Sequence, residues 1–223
     1  KKFIFPKKCP CGFDTIKDFN KITKKFDAVR RCPDRGFDCE KIAIEKIKHF
    51  ISKEAFNIDG LGKKIVENFW SMKLIRFPQD IFKLNYSKIK NLEGWGNQSV
   101  ANLKYSIENS KNISLDRFVY SLGIRHIGLE NAKLISRHIK DPENFFKLSE
   151  SKKMNVLLNI DGIGETQINS LKIFFSNSGN IKIINDLKNL LNIRSVKEIN
   201  DTGILKNKTF MFTGKLDGIS RAE

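Results

Sequence analysis

The sequence predicts a mainly α-helical protein in which a small four-cysteine module precedes a larger helical domain. Three observations predict this class. All four cysteines lie within residues 9–39. A Gly-x-Gly pattern followed by a helix start recurs four times between residues 57 and 178. A run of β-forming residues ending in glycine occurs near the end, at Thr209–Thr213, and predicts the first strand of a further, incomplete domain.

The composition of the chain limits the kinds of partner that it is expected to bind. The 223 residues carry 41 Lys and Arg against 25 Asp and Glu, a net charge of +16, and 40% are hydrophobic, including 18 Phe. Such a chain can form cores, and its charge suits nucleic acid or an anionic membrane surface, unless it reflects lysine-rich composition alone. No run is long and apolar enough to span a membrane, and no signal peptide opens the chain. We expect a soluble, cytoplasmic protein without a membrane partner.

The N-terminal part of the chain holds a candidate metal site. Residues 1–8 are short and basic and are interpreted as the end of a preceding domain or a linker. Residues 9–39 contain Cys9, Cys11, Cys32 and Cys39, two close pairs that suit one tetrahedral Zn²⁺ bound by four thiolates. The first pair is C-x-C, one residue shorter than the usual C-x-x-C. A metal-free or redox-active site is the alternative, and a zinc ion here would be structural.

The region from residue 40 to residue 178 is predicted to be the main helical domain. An apolar stripe predicts a helix over residues 40–56. His49 on it is a possible phosphate contact or a packed histidine. The repeated pattern then places a glycine at 60, 94 and 162 and His126 at the equivalent third position. The steps of 34, 32 and 36 residues are typical of repeated supersecondary units, each predicted as helix, short hairpin, helix.

The hairpins are candidate phosphate sites, because glycines leave backbone N–H groups free at the start of the following helix. This predicts DNA binding by Gly60, Gly62, Lys63, Lys64, Gly94, Gly96, Arg125, Gly128, Gly162 and Gly164. Further candidates for pairing with phosphate are Lys104, Arg117, Lys133, Arg137 and Lys172. Trp95, between the glycines of the second hairpin, either packs on its own helix pair, the favoured interpretation, or wedges into a groove.

Residues 179–205 are predicted to contain a last helix near Ile181–Leu191 and then a linker, and residues 206–223 to begin another domain. In order, the four cysteines, the run His49-Phe50-Ile51-Ser52…Gly60-Leu61-Gly62, the run Leu122-Gly123-Ile124-Arg125…Gly128 and the strand end Thr213-Gly214-Lys215-Leu216 resemble the C-terminal half of a bacterial NAD⁺-dependent DNA ligase. Lys53 stands where that family usually has Arg, and Phe56 where it often has Met.

The resemblance implies a fold and a function. The fold is mainly α, with a small four-Cys zinc ribbon, a domain of four helix-hairpin-helix motifs and the first strand of an incomplete α/β BRCT domain. The function is non-catalytic binding of duplex DNA, expected to be nicked, within an enzyme that seals nicks in replication and repair. NAD⁺ and Mg²⁺ would act in the missing N-terminal adenylation and OB domains, so this chain alone should be inactive and should hold no catalytic residue.

Other readings remain open on the residues themselves. A helix-hairpin-helix glycosylase needs Gly-Pro-Asp after its hairpin, and that tripeptide does not occur in the sequence. Another repair or recombination protein would lack the BRCT-like end, and a protein-interaction module would show an apolar face instead of basic hairpins. Lys215-Leu216-Asp217-Gly218 matches the K-x-D-G motif of the ligase lysine, but it follows a strand and lacks an adenylate-binding context, so we reject that match.

Overall fold

The computed structural model describes residues 4–20, 24–33, 36–149 and 154–196. The predicted strand at Thr209–Thr213, and with it the start of the BRCT domain, lies outside these residues. The N-terminal module contains β1 (Phe19–Asn20) and β2 (Lys25–Phe26). They pair antiparallel with Phe19 opposite Phe26. Single bridges from Lys8 to Asp14 and from Ile16 to Arg31 extend this module, so residue 8 is part of it.

The rest of the described chain is mainly helical, which confirms the predicted class. Its elements are α1 (Glu40–Phe50), α2 (Lys63–Ser71), a 3-10 turn (Pro78–Lys83), α3 (Tyr86–Lys90), α4 (Asn97–Ser110), β3 (Asn112–Ser114), α5 (Leu115–Ser121), α6 (Leu129–Ile139), α7 (Pro142–Phe146), 3-10 turns at Lys147–Ser149 and Asn155–Asn159, α8 (Glu165–Ser176), α9 (Ser178–Leu190) and β4 (Asn192–Arg194). The four repeats are α1–α2, α3–α4, α5–α6 and the 3-10 turn at Asn155–Asn159 with α8.

The first predicted helix is shorter than expected. The prediction of one helix over residues 40–56 is wrong at its end, because α1 stops at Phe50 and Asn57 has a left-handed φ of 49°. The chain instead folds back so that the Phe56 ring stacks on Phe50 with centroids 4.1 Å apart. Burial of Phe56 against the core therefore outweighs continuation of the helix, and it brings the first hairpin to the start of α2.

One contiguous hydrophobic core joins all four repeats. It runs from Ala43 to Leu187 and contains the fully buried rings of Phe50, Phe69 and Phe118. Since the repeats share this core, none of them can bury its apolar face alone. The positions of the hairpins relative to one another are therefore set by packing across the whole body.

The C-terminal part of the described chain belongs to the same body. The last helix, α9, begins at Ser178, three residues before the predicted Ile181, because the Asn177 side chain accepts a hydrogen bond from the amide of Asn180 at 3.1 Å and caps it. The segment predicted as a linker contains β4. This strand pairs in parallel with β3, with Ser114 opposite Arg194, so it returns to the third repeat.

The N-terminal module, called the metal module from here on because it holds the four candidate metal ligands, contributes little to the core. Among the described residues before Cys39, Thr15 alone is buried, while Phe13, Phe19 and Phe26 are between 46% and 65% exposed. A module with so little buried apolar surface needs another source of folding free energy. Across the part of the chain that the structure describes, every helix is too short or too polar to cross a bilayer.

Candidate nucleic-acid interface and metal centre

The four hairpins share one backbone geometry. In each, the residue between the two pattern positions donates its amide to the carbonyl three residues earlier: Leu61 to Ile58, Trp95 to Leu92, Ile127 to Ile124 and Ile163 to Ile160, at 3.0–3.4 Å. The first pattern position has a positive φ in every copy, 81° at Gly60, 80° at Gly94, 63° at His126 and 89° at Gly162. A positive φ at the third residue of the turn is typical of type II turns. The repeat predicted from the sequence is thus a repeat in backbone conformation.

The second glycine of each hairpin is the N-cap of the following helix. Gly62, Gly96, Gly128 and Gly164 have extended backbones, with ψ of 170°, 172°, −177° and −177°, and cap α2, α4, α6 and α8. None of them offers a side chain to the first helical amides, where Ser, Thr, Asp or Asn would be preferred. A Cβ built at Gly62, Gly96 or Gly128 meets no atom within 4 Å. Glycine is therefore not required by protein packing at these three positions.

Positive charge that favours an anion lies at the first hairpin. The first turn of α2 begins with Lys63 and Lys64, both exposed, and neither α2 nor α4 has an acidic residue in its first turn. Cations at a helix N-terminus oppose the helix dipole and destabilise the helix unless an anion is bound there. Lys64 also lowers the pKa of Glu67, although the main cause is the hydrogen bond that Glu67 accepts from Lys48.

The last two hairpins are less favourable to an anion. Glu130 lies in the first turn of α6 and Glu165 in the first turn of α8. In the fourth hairpin the Gln167 side chain also accepts a hydrogen bond from the Gly164 amide at 3.1 Å. The four sites are thus alike in backbone and unequal in charge.

His126 gives the third hairpin a titratable group. Partial burial lowers the pKa of His126 below its ordinary value of 6.5, and the adjacent Arg125 cation lowers it further. Asp18 and Asp27 oppose this shift, while Arg31 adds to it. The imidazole is therefore neutral at neutral pH and protonates more readily when an anion approaches.

The four cysteines converge as predicted. Their sulfur atoms all lie within 4.8 Å of one another, with Cys9 Sγ 3.6 Å from Cys39 Sγ and Cys11 Sγ 3.7 Å from Cys32 Sγ. These distances exclude disulfides, whose sulfurs lie about 2.05 Å apart. They fit a tetrahedral ion with Zn–S bonds of about 2.3 Å, for which two sulfurs are about 3.8 Å apart. The short C-x-C spacing is therefore compatible with a four-thiolate metal site.

The metal module is held against both the first helix and the third hairpin. Cys39 is the N-cap of α1, and its carbonyl accepts from the Ala43 amide at 2.8 Å. Arg125, predicted to bind DNA, donates to the carboxylates of Asp18 and Asp27 in the module, the latter at 3.2 Å. The geometry therefore places this guanidinium in a contact between module and hairpin, not at a vacant phosphate site.

Other predicted contacts have structural partners. Arg117 donates to the backbone carbonyls of Ala55 and Lys53, both at 2.7 Å, which ties α5 to the turn after α1. The His49 ring lies 2.8 Å, through Nε2, from the Tyr120 carbonyl, as expected of a packed histidine. Trp95 is partly buried, and its ring centroid is 5.6 Å from that of Phe69, which supports the packed interpretation.

The remaining lysines differ in their surroundings. Lys104 is exposed and its Nζ lies 5.9 Å from the centroid of the Tyr86 ring. Lys133 pairs with Glu130 at 2.8 Å. Lys172 is exposed and lines a cleft of about 670 Å³ between the metal module and the last two hairpins. All three keep a position at the surface from which a phosphate can be reached.

Comparison with known proteins agrees with this geometry. A family model described as the helix-hairpin-helix motif matches residues 117–184, the third and fourth repeats. A DNA ligase of Pelagibacter ubique is 68% identical over 224 residues, covering 100% of this chain and 33% of the relative. By sequence, the chain is similar to part of a bacterial DNA ligase. A DNA ligase of Wolbachia pipientis subsp. Culex pipiens is 42% identical over 227 residues with the same coverage, and one of Rickettsia bellii is 43% identical over 88% of the chain.

The chain spans about a third of the length of these DNA ligases. The match to the Pelagibacter relative extends over the whole chain, so it includes the cysteine module as well as the hairpins. The resemblance stated from the sequence is thereby confirmed.

Sequence reasoning missed two parts of the site. The carboxylates that engage Arg125 come from Asp18 and Asp27, and no sequence pattern links them to a hairpin about 100 residues later. Arg194 lies on β4, in a segment predicted as a linker. The alternation of Asn192, Ile193 and Arg194 was the available signal for a strand, although three residues are too few to identify one.

Proposed function

We propose that this chain is the DNA-binding part of an NAD⁺-dependent DNA ligase and that it holds duplex DNA through the backbone phosphates. The hairpins would contribute amides at Gly60, Gly62, Gly94 and Gly96, with Lys63 and Lys64 adding charge to the first site. Gly128, Gly162 and Gly164 would serve the third and fourth sites in the same way. Phosphate contacts position a protein without reading sequence, as an enzyme that closes nicks anywhere requires.

One observation carries the proposal. Three helix N-caps are glycines with open space where a Cβ would stand. A capping side chain would stabilise each helix but would occupy the amides. A phosphate that approaches the backbone closely explains why the side chain is absent. The recurrence of these glycine caps, together with the lysines Lys63 and Lys64 at the first of them, favours an anionic polymer over a protein partner.

The cysteine cluster is proposed to bind a structural Zn²⁺ through Cys9, Cys11, Cys32 and Cys39. Four thiolates leave no open position for water, so the ion would have no catalytic role. Its binding would supply the folding free energy that the module's small core lacks. Because Cys39 caps α1 and Arg125 bridges to the module, the ion would also fix the module against the hairpins.

The activity of the whole enzyme would depend on parts outside this chain. The relatives are named DNA ligases, and a nick-sealing reaction that uses NAD⁺ and Mg²⁺ would take place in adenylation and OB domains that are not among these residues. Nicked duplex DNA would be the substrate, and replication and repair in the cytoplasm the setting. We expect no catalytic residue in this chain and no sealing of nicks by it alone.

Binding to duplex DNA across a salt series tests the proposal. Six to ten phosphate contacts would reduce the affinity roughly 10³–10⁵-fold between about 50 and 200 mM salt. Labelled duplexes of several sequences, each nicked or intact, separate backbone binding from sequence reading and measure any preference for nicks. A nick-sealing assay with NAD⁺ and Mg²⁺ on the same preparation checks that the chain alone forms no phosphodiester bond.

Three results would contradict the proposal. Absence of binding at low salt by a folded, zinc-loaded chain would show that the hairpins are structural. Tight binding that is insensitive to salt would indicate apolar contacts and would favour the protein-interaction alternative. Strong preference for one sequence would exclude recognition through phosphates alone.

A further inference from the structure

A second basic site lies away from the hairpin amides, in a cleft of about 350 Å³ beside the third repeat. The helices α5 and α6 and the paired strands β3 and β4 form it. The helix α6 contributes Lys133, Ser136 and Arg137, the pairing of β4 with β3 adds Arg194, and α5 adds Asp116. The cleft exists because β4 returns to β3 after 80 residues and places Arg194 opposite Ser114.

The cleft carries an excess of positive charge. Lys133 pairs with Glu130 at 2.8 Å, and Asp116 is the one carboxylate in the described lining. Arg137 and Arg194 are exposed, and within the described residues neither forms an ion pair or a side-chain hydrogen bond. Two guanidiniums with all their donors available suit the oxygens of a phosphate, which arginine binds in a bidentate manner.

Ser136 adds an independent observation. This residue is 0% exposed, it lines the cleft, and its hydroxyl has no hydrogen-bond partner among the described atoms. A buried hydroxyl without a partner is unfavourable, and such groups in native proteins call for a bound water, ion or ligand.

We propose that this cleft binds a phosphodiester of the DNA backbone, at a phosphate different from the one at the third hairpin. Arg137 lies eight residues beyond Leu129, the first residue of α6, and thus about 12 Å along the helix from the hairpin amides. Successive phosphates of one strand advance about 3.4 Å along the duplex axis. A distance of about 12 Å is longer than this advance, so the cleft would contact a phosphate further along the DNA backbone than the one at the hairpin amides. The assignment rests on the proposed binding of duplex DNA.

The test compares single variants in the duplex-binding salt series. R137A and R194A should each make the plot of log affinity against log salt shallower by about 1 and weaken binding roughly tenfold at about 100 mM salt. The matched control is K182A, which removes an exposed positive charge on α9 outside every cleft described above. S136A should weaken binding while leaving the slope unchanged, because it removes a hydroxyl and no charge.

A second arm uses inorganic phosphate with ¹⁵N-detected NMR of the arginine side chains. Phosphate that shifts Arg137 and Arg194, together with the altered salt slopes, supports the cleft as a DNA phosphate site. Phosphate that shifts them while R137A and R194A keep the wild-type slope assigns the cleft to a free phosphate and overturns the proposal. So does an S136A chain that binds duplex DNA as tightly as wild type. A chain that binds no DNA but whose arginines respond to phosphate would refute the proposed function, leaving an anion site.

Discussion

At the scale of single residues, the N-cap glycines and the lysines beside them both reduce helix stability. Gly62 forgoes a capping hydrogen bond, and Lys63 and Lys64 place positive charge at the positive end of the dipole of α2. Each effect is a fraction of a kcal/mol to about 1 kcal/mol. The glycine cap and the two lysines weaken α2 at the same point at which they would attract an anion. Binding of an anion at that point best explains why these residues are there.

The double substitution G62A/G96A tests this explanation. Both positions have open space for a Cβ and a φ that alanine adopts, so the double substitution should lower the free energy of unfolding by only about 1–2 kcal/mol, the cost of replacing two glycine N-caps by alanine. The added methyl groups should obstruct the phosphates and lower DNA affinity at least tenfold. Urea denaturation and fluorescence anisotropy measure the two quantities.

Two further glycine variants separate the effects. G179A, in α9 and outside the hairpins, is the control: its Cβ would lie 3.1 Å from Oδ1 of Asn177, so it should lower stability and leave affinity unchanged. G60A should lower stability as well as affinity, since a φ of 81° costs a non-glycine residue about 1–3 kcal/mol. Full affinity in G62A/G96A would show that phosphate does not approach these amides.

His126 predicts a pH dependence of binding. Burial and Arg125 lower the pKa of His126 in the free chain, whereas a bound phosphate would raise it. Binding then takes up a proton, so affinity should increase as the pH falls through the pKa of the bound state and level off below the pKa of the free state. If binding raises the pKa by about one unit, the gain is about tenfold.

The measurement is duplex affinity between about pH 5 and pH 8 at constant salt, the range in which a histidine side chain ordinarily changes charge. H126N is the control, because asparagine tolerates the positive φ of 63° and does not titrate in this range. Any dependence that remains in H126N belongs to other groups. Identical profiles in both chains would place His126 outside the interface.

At the scale of elements, Arg117 joins two repeats. Its two charged hydrogen bonds to the carbonyls of Ala55 and Lys53 hold the turn after α1 against α5. R117A should destabilise the chain by about 2–3 kcal/mol, since hydrogen bonds to charged groups contribute about 1.5–3 kcal/mol. Urea denaturation measures the change, with K182A as a charge-matched control expected to lie within about 0.5 kcal/mol of wild type.

The metal module should fold as a unit that depends on its ion. The hydrophobic core begins at Ala43, and among the described side chains of the module before Cys39 only the partly buried Phe37 packs against it. Chelation, or the substitution C11S, should therefore abolish amide protection in residues 4–33 and leave α2 to α9 protected. Hydrogen exchange of metal-loaded and metal-free chain measures this. Protection of the module without metal would contradict it.

At the scale of the whole molecule, the sequence predicted the class, the four repeats and the cysteine cluster, because these depend on local patterns. The spacing of the glycines directly predicts the hairpin conformation, and the close cysteine pairs predict a shared ion. What it did not predict depends on distant packing. Phe56 draws the chain back and ends α1 early, Asp18 and Asp27 meet Arg125 across about 100 residues, and β4 pairs with β3 across 80.

The inequality of the four hairpins is also a property of the whole molecule. Their backbones are alike. However, the first turns of α6 and α8, the helices that follow the last two hairpins, contain Glu130, Glu165 and Gln167. The shared core fixes all four relative to one another, so the proposed strong and weak phosphate sites would act on one duplex together. The basic cleft at Arg137 and Arg194 adds charge beside the third hairpin, where the hairpin itself has less.

The parallel pairing of β3 with β4 has a mechanical consequence. Three residue pairs attach the chain after Arg194 to the strand that leads directly into α5. The amide of Val196 also donates to the carbonyl of Lys140 at the end of α6, at 2.9 Å, so tension applied through the residues beyond β4 enters the molecule at two elements of the third repeat. A force applied at that end would act first on the third repeat, whose hairpin is proposed to bind DNA.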